Sequence, residues 1–245
     1  MLNEFLINIM DINSVVDGSE IKIYNKEEVS KFGIKTESLI ISGESKTFIP
    51  EISKTFGITS IKLLKQLLSN KDIKDSGTFE LIKEINSFTN QEEISTLKIS
   101  SNDMVAQIRL ANEDVLQKIP IAKNIEYNIN CKDIESKLLT KLSKSVELLE
   151  NNDEYFTLEI TDQNLYFKSG KAGQNLLQIT CPFLCNHLNY QNLNKYRCKD
   201  ILTALKVATK FNKTDININN KGLFTLNCEN DFIKIELYVR GSSNV

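Results

Sequence analysis

Between Asn130 and Arg240 a helix-like segment, a run of strands, a second helix-like segment and two closing strands follow one another with little loop between them. This order constrains the fold most, because helices and strands succeed one another without βαβ spacing, which argues against a doubly wound sheet or a barrel enzyme. The segment from Asp133 to Leu149 carries Ile134, Leu138, Leu142, Val146 and Leu149 as an apolar stripe, with Lys137, Thr140, Lys141, Lys144 and Glu147 on its far side. The pair Asn151-Asn152 ends it. Phe156, Leu158 and Ile160 then alternate, Asp162-Gln163-Asn164 makes a tight turn, and Leu165 and Phe167 return as a hairpin. A strand from Leu176 to Ile179 runs toward Pro182, which ends it or places it at an edge. Lys199 to Phe211 predicts the second helix, Ile201, Leu205 and Ala208 inward and Thr203, Lys206 and Lys210 outward. Ile216 and Ile218 begin a hairpin continued by Leu223–Leu226, and Phe232 to Val239 alternates as the last strand.

The first half follows the same plan. Leu2, Phe5, Leu6, Ile9 and Met10 predict an N-terminal helix of three turns stopped at Gly18, with Asn3, Glu4, Asn8 and Asp11 on its polar face. Ile21 and Ile23 alternate as a strand. Phe32–Ile34, Leu39–Ile41 and Phe48–Ile52 each read as a short strand between turn signals. Ser60 to Leu68 predicts a helix with Ser60 as N-cap, turning Ile61, Leu64 and Leu68 inward and Lys62, Lys65 and Gln66 outward. Thr78–Ile85, Ile94–Ile99 and Val105–Leu110 predict strands, and Ala111 to Asn124, with Pro120, a long connector. The count is four helices, two in each half.

At 245 residues the chain fits one large domain or two of about 120 residues. The net charge of −2, from 30 Lys+Arg and 32 Asp+Glu, leaves no global basic signal, so any nucleic-acid surface must come from uneven placement of charge. The cysteines Cys131, Cys181, Cys185, Cys198 and Cys228 lack CxxC spacing, which points to reduced thiols and an intracellular protein. No apolar run is long enough to span a bilayer as a helix.

Catalytic chemistry finds little support. His187 is the only histidine, and no Ser, Asp or Cys constellation marks it as a general base. With Cys181 and Cys185 it offers at most three soft ligands, short of a structural zinc site. Ser169-Gly170-Lys171-Ala172-Gly173 lacks the spacing of a phosphate loop. Glu27-Glu28, Glu92-Glu93 and Asp153-Glu154 sit in loops, where solvated carboxylates are ordinary. The expectation is no enzyme, no metal and no cofactor.

Residues 130 to 240 resemble the C-terminal domain of a DNA polymerase sliding clamp, closest to the clamps of T4-like phages and more distantly to proliferating cell nuclear antigen. The resemblance rests on Cys131-Lys132-Asp133-Ile134 leading into the Leu138/Leu142 helix, the Phe156–Phe167 hairpin, Tyr196-Arg197-Cys198-Lys199-Asp200-Ile201-Leu202, and the strand Asp231 to Tyr238. In the first half, Phe56 to Leu68 is similar to the strand-into-helix step of such clamps. The resemblance implies an α+β sliding-clamp fold of two similar domains, 1–124 with the connector and 125–245, each an antiparallel sheet plus two helices. It further implies a homotrimer closed head to tail around double-stranded DNA as a processivity factor. A replicative DNA polymerase, an ATP-dependent clamp loader and, as in T4-like clamps, transcription proteins would be its partners, inside a host cell if phage-encoded.

The clamp reading asks for basic outward helix faces. Lys62 and Lys65 supply them on the second helix, Lys137, Lys141 and Lys144 on the third, and Lys199, Lys206, Lys210 and Lys213 on or beside the fourth. Such lysines contact phosphate without reading bases; the plain reading is a solvated face of an amphipathic helix. The first helix instead shows Glu4 and Asp11, so it sits back from the duplex or its register differs. Val115, Leu116, Ile119 and Ile121 are candidates to line a partner-peptide groove, against simple domain packing. Val105–Leu110 and Leu176–Ile179 are expected as subunit edges. The competing readings are a protein-interaction module that does not encircle DNA and a clamp homologue used mainly in late transcription.

Overall fold

The computed structural model describes residues 1–87, 89–119, 125–170, 176–186 and 189–242. The chain divides into two compact units. One comprises Met1–Thr36, Ser42–Pro120 and Asp231–Lys234; the other comprises Glu37–Ile41, Ile121–Asn230 and Ile235–Val245.

In chain order the elements of the first half are α1 (Leu2–Val16), β1 (Ile21–Lys26), β2 (Val29–Lys35), β3 (Leu39–Ser45), β4 (Phe56–Ile58), α2 (Ile61–Ser69), α3 (Lys71–Ser76), β5 (Thr78–Ile85), β6 (Glu92–Ser100), β7 (Val105–Arg109) and β8 (Ala111–Asn112). The second half has β9 (Ile129–Ile134), α4 (Ser136–Asn152), β10 (Tyr155–Thr161), β11 (Asn164–Ser169), β12 (Leu177–Leu184), β13 (Asn189–Arg197), α5 (Cys198–Ala208), β14 (Lys213–Ile218), β15 (Leu223–Glu229) and β16 (Ile233–Arg240).

The sheet orders expose an internal repeat. Strands run β8-β4-β1-β2-β3-β16-β15-β14-β9 in one sheet, β12-β11-β10-β13 in a second and β5-β6-β7 in a third. Helix α1 is thus followed by a β4-β1-β2-β3 ladder, α2 and a meander β5-β6-β7; helix α4 is followed by a β13-β10-β11-β12 ladder, α5 and a meander β14-β15-β16. The hairpins opening each ladder also correspond. Lys26 pairs with Val29 and Thr161 with Asn164, and each turn has two residues at positive φ, Glu27 (54°) and Glu28 (58°) or Asp162 (50°) and Gln163 (65°). Two-residue turns of this kind match the strand twist, which is why L-residues are tolerated there.

Apolar periodicity explains the helices. Leu2, Phe5, Leu6, Ile9, Met10, Ile12 and Val16 of α1 are buried, and the Phe5 ring meets Phe32 of β2 edge-on at 5.8 Å. The helix is one turn longer than its clearest stripe and ends at Asp17 in the left-handed conformation. Buried Asn13 then fastens Gly18 with two hydrogen bonds, Gly18 N–H donating to Asn13 Oδ1 at 3.1 Å and Asn13 Nδ2 donating to the Gly18 carbonyl at 3.2 Å. In the second unit Leu139, Leu142, Val146 and Leu149 of α4 are buried, and Phe156 stacks on Phe167 at 4.6 Å with Tyr196 5.9 Å from it.

Several local expectations are corrected. Phe48–Ile52 is not a strand, because side chains take up its backbone groups. Ile49 N–H donates to Ser30 Oγ at 2.8 Å and its carbonyl accepts from Asn25 Nδ2 at 3.0 Å, leaving no ladder to join. There are five α-helices among the described residues, since Asn70 ends α2 and caps α3, its Oδ1 accepting from Asp72 N–H at 2.9 Å. Helix α4 begins at Ser136, with Asp133 and Ile134 in β9; Asp133 is at φ 53° beside a register shift, its N–H donating to Asp215 Oδ1 at 2.8 Å. Its core stripe therefore runs through Leu139, with Leu138 half-buried. Helix α5 stops at Ala208, and β13 occupies residues ahead of α5 that carry no strand expectation; the strand through Pro182 runs on to Leu184 at a sheet edge, one of the two outcomes expected of that proline.

Candidate nucleic-acid interface

Lys137, Lys141 and Lys144 are all exposed on α4. At 100° per residue the three fall within about 60° of one another, so they form one line of ammonium groups along roughly 10 Å of helix. Leu148 continues the line and is 59% exposed. Helix α5 packs beside α4, and Lys206 in its last turn meets Glu147 of α4 at 3.5 Å. Both partners are about half exposed, so this pair adds little stability; its effect is to offset the Lys206 charge locally. Lys199 is exposed in the first turn of α5, two turns from Lys206 on the same face.

Lys210 follows α5 in the turn, where its N–H donates to the Val207 carbonyl at 3.0 Å, and Lys213 opens β14 opposite Glu229. Both are exposed, but neither extends the helical line. In the first unit Lys62 and Lys65 are exposed on α2 while Ile61 and Leu64 of the same helix are buried.

Helix α1 has the register read from its sequence, with Glu4 and Asp11 exposed. Asp11 Oδ2 lies 3.6 Å from Lys74 Nζ of α3. The helix that sequence periodicity passes over is therefore the one that brings Lys71 and Lys74 to this unit. Its signal is an Asn cap followed by an acidic residue in the first turn, Asn70-Lys71-Asp72.

The connector crosses the first unit's sheet in a trough made by two glycines. Lys22 of β1 pairs with Gly33 of β2 on one side and Gly57 of β4 on the other, so the three lie in one row across the sheet. Leu116 sits on Gly57 and Ile119 on Gly33. A Cβ added at either glycine would lie 2.1 Å from Leu116 Cδ2 or 2.3 Å from Ile119 Cδ1. Lys22 Nζ reaches up between them to Glu113 Oε1 at 2.9 Å, and that hydrogen bond holds the Glu113 carboxyl below the ordinary carboxylate range. Gln117 N–H donates to Glu20 Oε1 at 2.8 Å. Leu116 is thus buried against the sheet and Ile119 half-buried, whereas Val115 is 72% exposed; Ile121 lies outside the described residues.

That seat gives a stability prediction. Gly57→Val forces Leu116 out of the trough and is expected to cost about 1–3 kcal/mol by overpacking. Adding Leu116→Ala should return part of that loss, so a urea-unfolding double-mutant cycle should show coupling of about 0.5 kcal/mol or more; additive effects would mean the connector is not seated there.

Among the described residues no group of three or more His, Cys, Asp and Glu side chains is placed to hold a metal ion, and no helix is long and apolar enough to cross a membrane. His187 and Lys171–Gly173 lie outside the described residues.

No family model matches the sequence, and no curated protein does. Solved structures do. Similar to this chain is the A. fulgidus PCNA solved with the C-terminal region of FEN-1 bound, with a TM-score of 0.72 and 14% identity over 99% of this chain and 97% of that one. The Entamoeba histolytica proliferating cellular nuclear antigen matches with a TM-score of 0.66 and 13% identity over 95% and 94%. The DNA polymerase beta subunit of Streptococcus pyogenes matches with 0.70 and 12% identity over 99% of this chain and 64% of that longer one. The chain has the α+β sliding-clamp fold, antiparallel sheets with helices, and shares it with archaeal, eukaryotic and bacterial clamps alike rather than with one branch of them.

Proposed function

We propose that this chain is a ring-forming processivity factor that closes as a homotrimer around duplex DNA, without sequence preference, and tethers a replicative DNA polymerase. The observation that carries the reading is the unequal fate of equivalent strands. The start of β3, Leu39–Ile41, lies in the second unit beside β16, as the strand order has it. The repeat makes β12 the counterpart of β3 and β7 the counterpart of β16, yet among the described residues β12 pairs only with β11 and β7 only with β6. In this reading β12 of one copy takes β7 of the next, reproducing the β3–β16 pairing between subunits. A heterologous contact of that kind makes a closed ring when its rotation closes. Exposed Val105, Leu176 and Leu184 at the two edges would be covered in the ring.

The exposed lysines of α2, α4 and α5 would line the hole and hold the duplex through phosphates, so that the topology of the ring rather than any tight contact keeps it on DNA. Residues 1–124 and 125–245 act as the two domains of each subunit. Val115 and the connector beside it would receive peptides from the polymerase, and opening would need an ATP-dependent loader. The phage-type assignment, a host-cell interior and a further use in late transcription belong to the same reading and rest on the sequence resemblance.

Light scattering at micromolar concentration tests it. The expected mass is about 84 kDa, three times the 27.9 kDa chain. A particle that stays at 27.9 kDa with duplex and loader present would leave the non-encircling interaction module as the better account.

A further inference from the structure

Three cysteines converge in the second unit. Cys131 in β9, Cys181 in β12 and Cys185 just past β12 are all free and buried, at 1%, 3% and 5% exposure. The backbones that carry Cys131 and Cys185 are tied to each other. Asn130 N–H donates to Asn186 Oδ1 at 2.7 Å, and Asn186 N–H donates back to the Asn130 carbonyl at 3.1 Å. Cys131 follows one of these asparagines and Cys185 precedes the other, so the two bonds bring the cysteines side by side. The pair therefore joins the end of an edge strand of one sheet to the edge strand of another, since β12 and β9 are both terminal in their sheets.

We propose that Cys131 and Cys185 are a redox-active dithiol, converted by a peroxide to a disulfide that staples the end of β12 to β9. Chemistry orders the two sulfurs. The Cys131 S–H donates to the Cys185 sulfur, which lowers the Cys185 thiol below its ordinary pKa and raises that of Cys131. Cys185 is thus the nucleophile, being both the readier thiolate and the more exposed of the two. Its sulfur takes one oxygen from hydrogen peroxide, giving a sulfenic acid and releasing water. The Cys131 sulfur then attacks the sulfenic sulfur, the S–S bond forms, and a second water leaves with the hydroxyl and the Cys131 proton. Two thiols have been oxidised by two electrons and one peroxide reduced to two waters. Burial and the neighbouring Cys185 push the Cys181 thiol up, so it stays protonated and outside the reaction.

The dithiol does not depend on the ring reading, and its test does not use DNA. The whole protein, reduced and then treated with hydrogen peroxide, is denatured, alkylated and mapped without reductant. The expected outcome is a fall in alkylated thiols from five to three, a mass two hydrogens lower, and one cross-linked peptide pair containing Cys131 and Cys185. Cys185→Ala should abolish the mass loss, whereas Cys181→Ala should retain it. Oxygen added to Cys185 without loss of hydrogens, or a link through Cys181, Cys198 or Cys228, would overturn the proposal. The wild-type map decides the matter even where a variant folds poorly.

Discussion

Replacing Lys137, Lys141 and Lys144 together with glutamate is expected to weaken duplex binding strongly while leaving the protein folded. All three are exposed on α4, and surface changes of this kind usually move stability by less than about 0.5 kcal/mol. Each lysine that neutralises a phosphate contributes about 0.9 to the slope of log affinity against log salt. Removing three should therefore flatten that slope by about 2.7 per subunit in contact with DNA. Anisotropy of a labelled duplex over a series of salt concentrations reads it, and duplexes of unrelated sequence should give the same slope. An unchanged slope would mean that α4 does not face the duplex. Lys206→Glu alone should do less, because its Glu147 partner already offsets that charge.

Phe156→Ala is expected to produce the largest loss of stability, about 3–5 kcal/mol. Phe156 is 1% exposed, stacked on Phe167 and within ring contact of Tyr196, so truncation opens a cavity between β10, β11 and β13 that two rigid rings cannot refill. At about 2–4 °C per kcal/mol for a chain of this size, thermal unfolding followed by circular dichroism should fall on the order of 10 °C. Phe156→Leu should recover more than half of that. A shift of only a degree or two would contradict the packing described for this ladder.

Much of the fold is legible in local pattern. The stripe of α1, the Ile61/Leu64 face of α2, the Phe156–Phe167 hairpin and the last strand all follow from apolar residues repeating at the helical or strand period, which is a property of neighbours in sequence. The lysine line of α4 is legible for the same reason. Where backbone groups find partners far along the chain, the pattern is silent. Phe48–Ile52 has the composition of a strand, but Ser30 and Asn25 take its hydrogen bonds. Asp133 looks helical beside Ile134 and Leu138, but β14 draws both residues into β9 through a bulge. Helix α3 is too short to show a period, and only its cap betrays it.

By itself, then, the sequence determined most of the helices and strands, which of their faces are apolar, and that positive charge gathers on particular helices of a nearly neutral chain. Tertiary structure decided the rest: that among the described residues β7 and β12 are left with one partner each, that Leu116 and Ile119 rest on Gly57 and Gly33, and that Cys131 is brought beside Cys185 across 54 positions of chain. Side-chain period is set by the geometry of a single element. Which edges meet depends on hydrogen bonds and packing between residues remote in sequence, and these exist only once the sheets have closed.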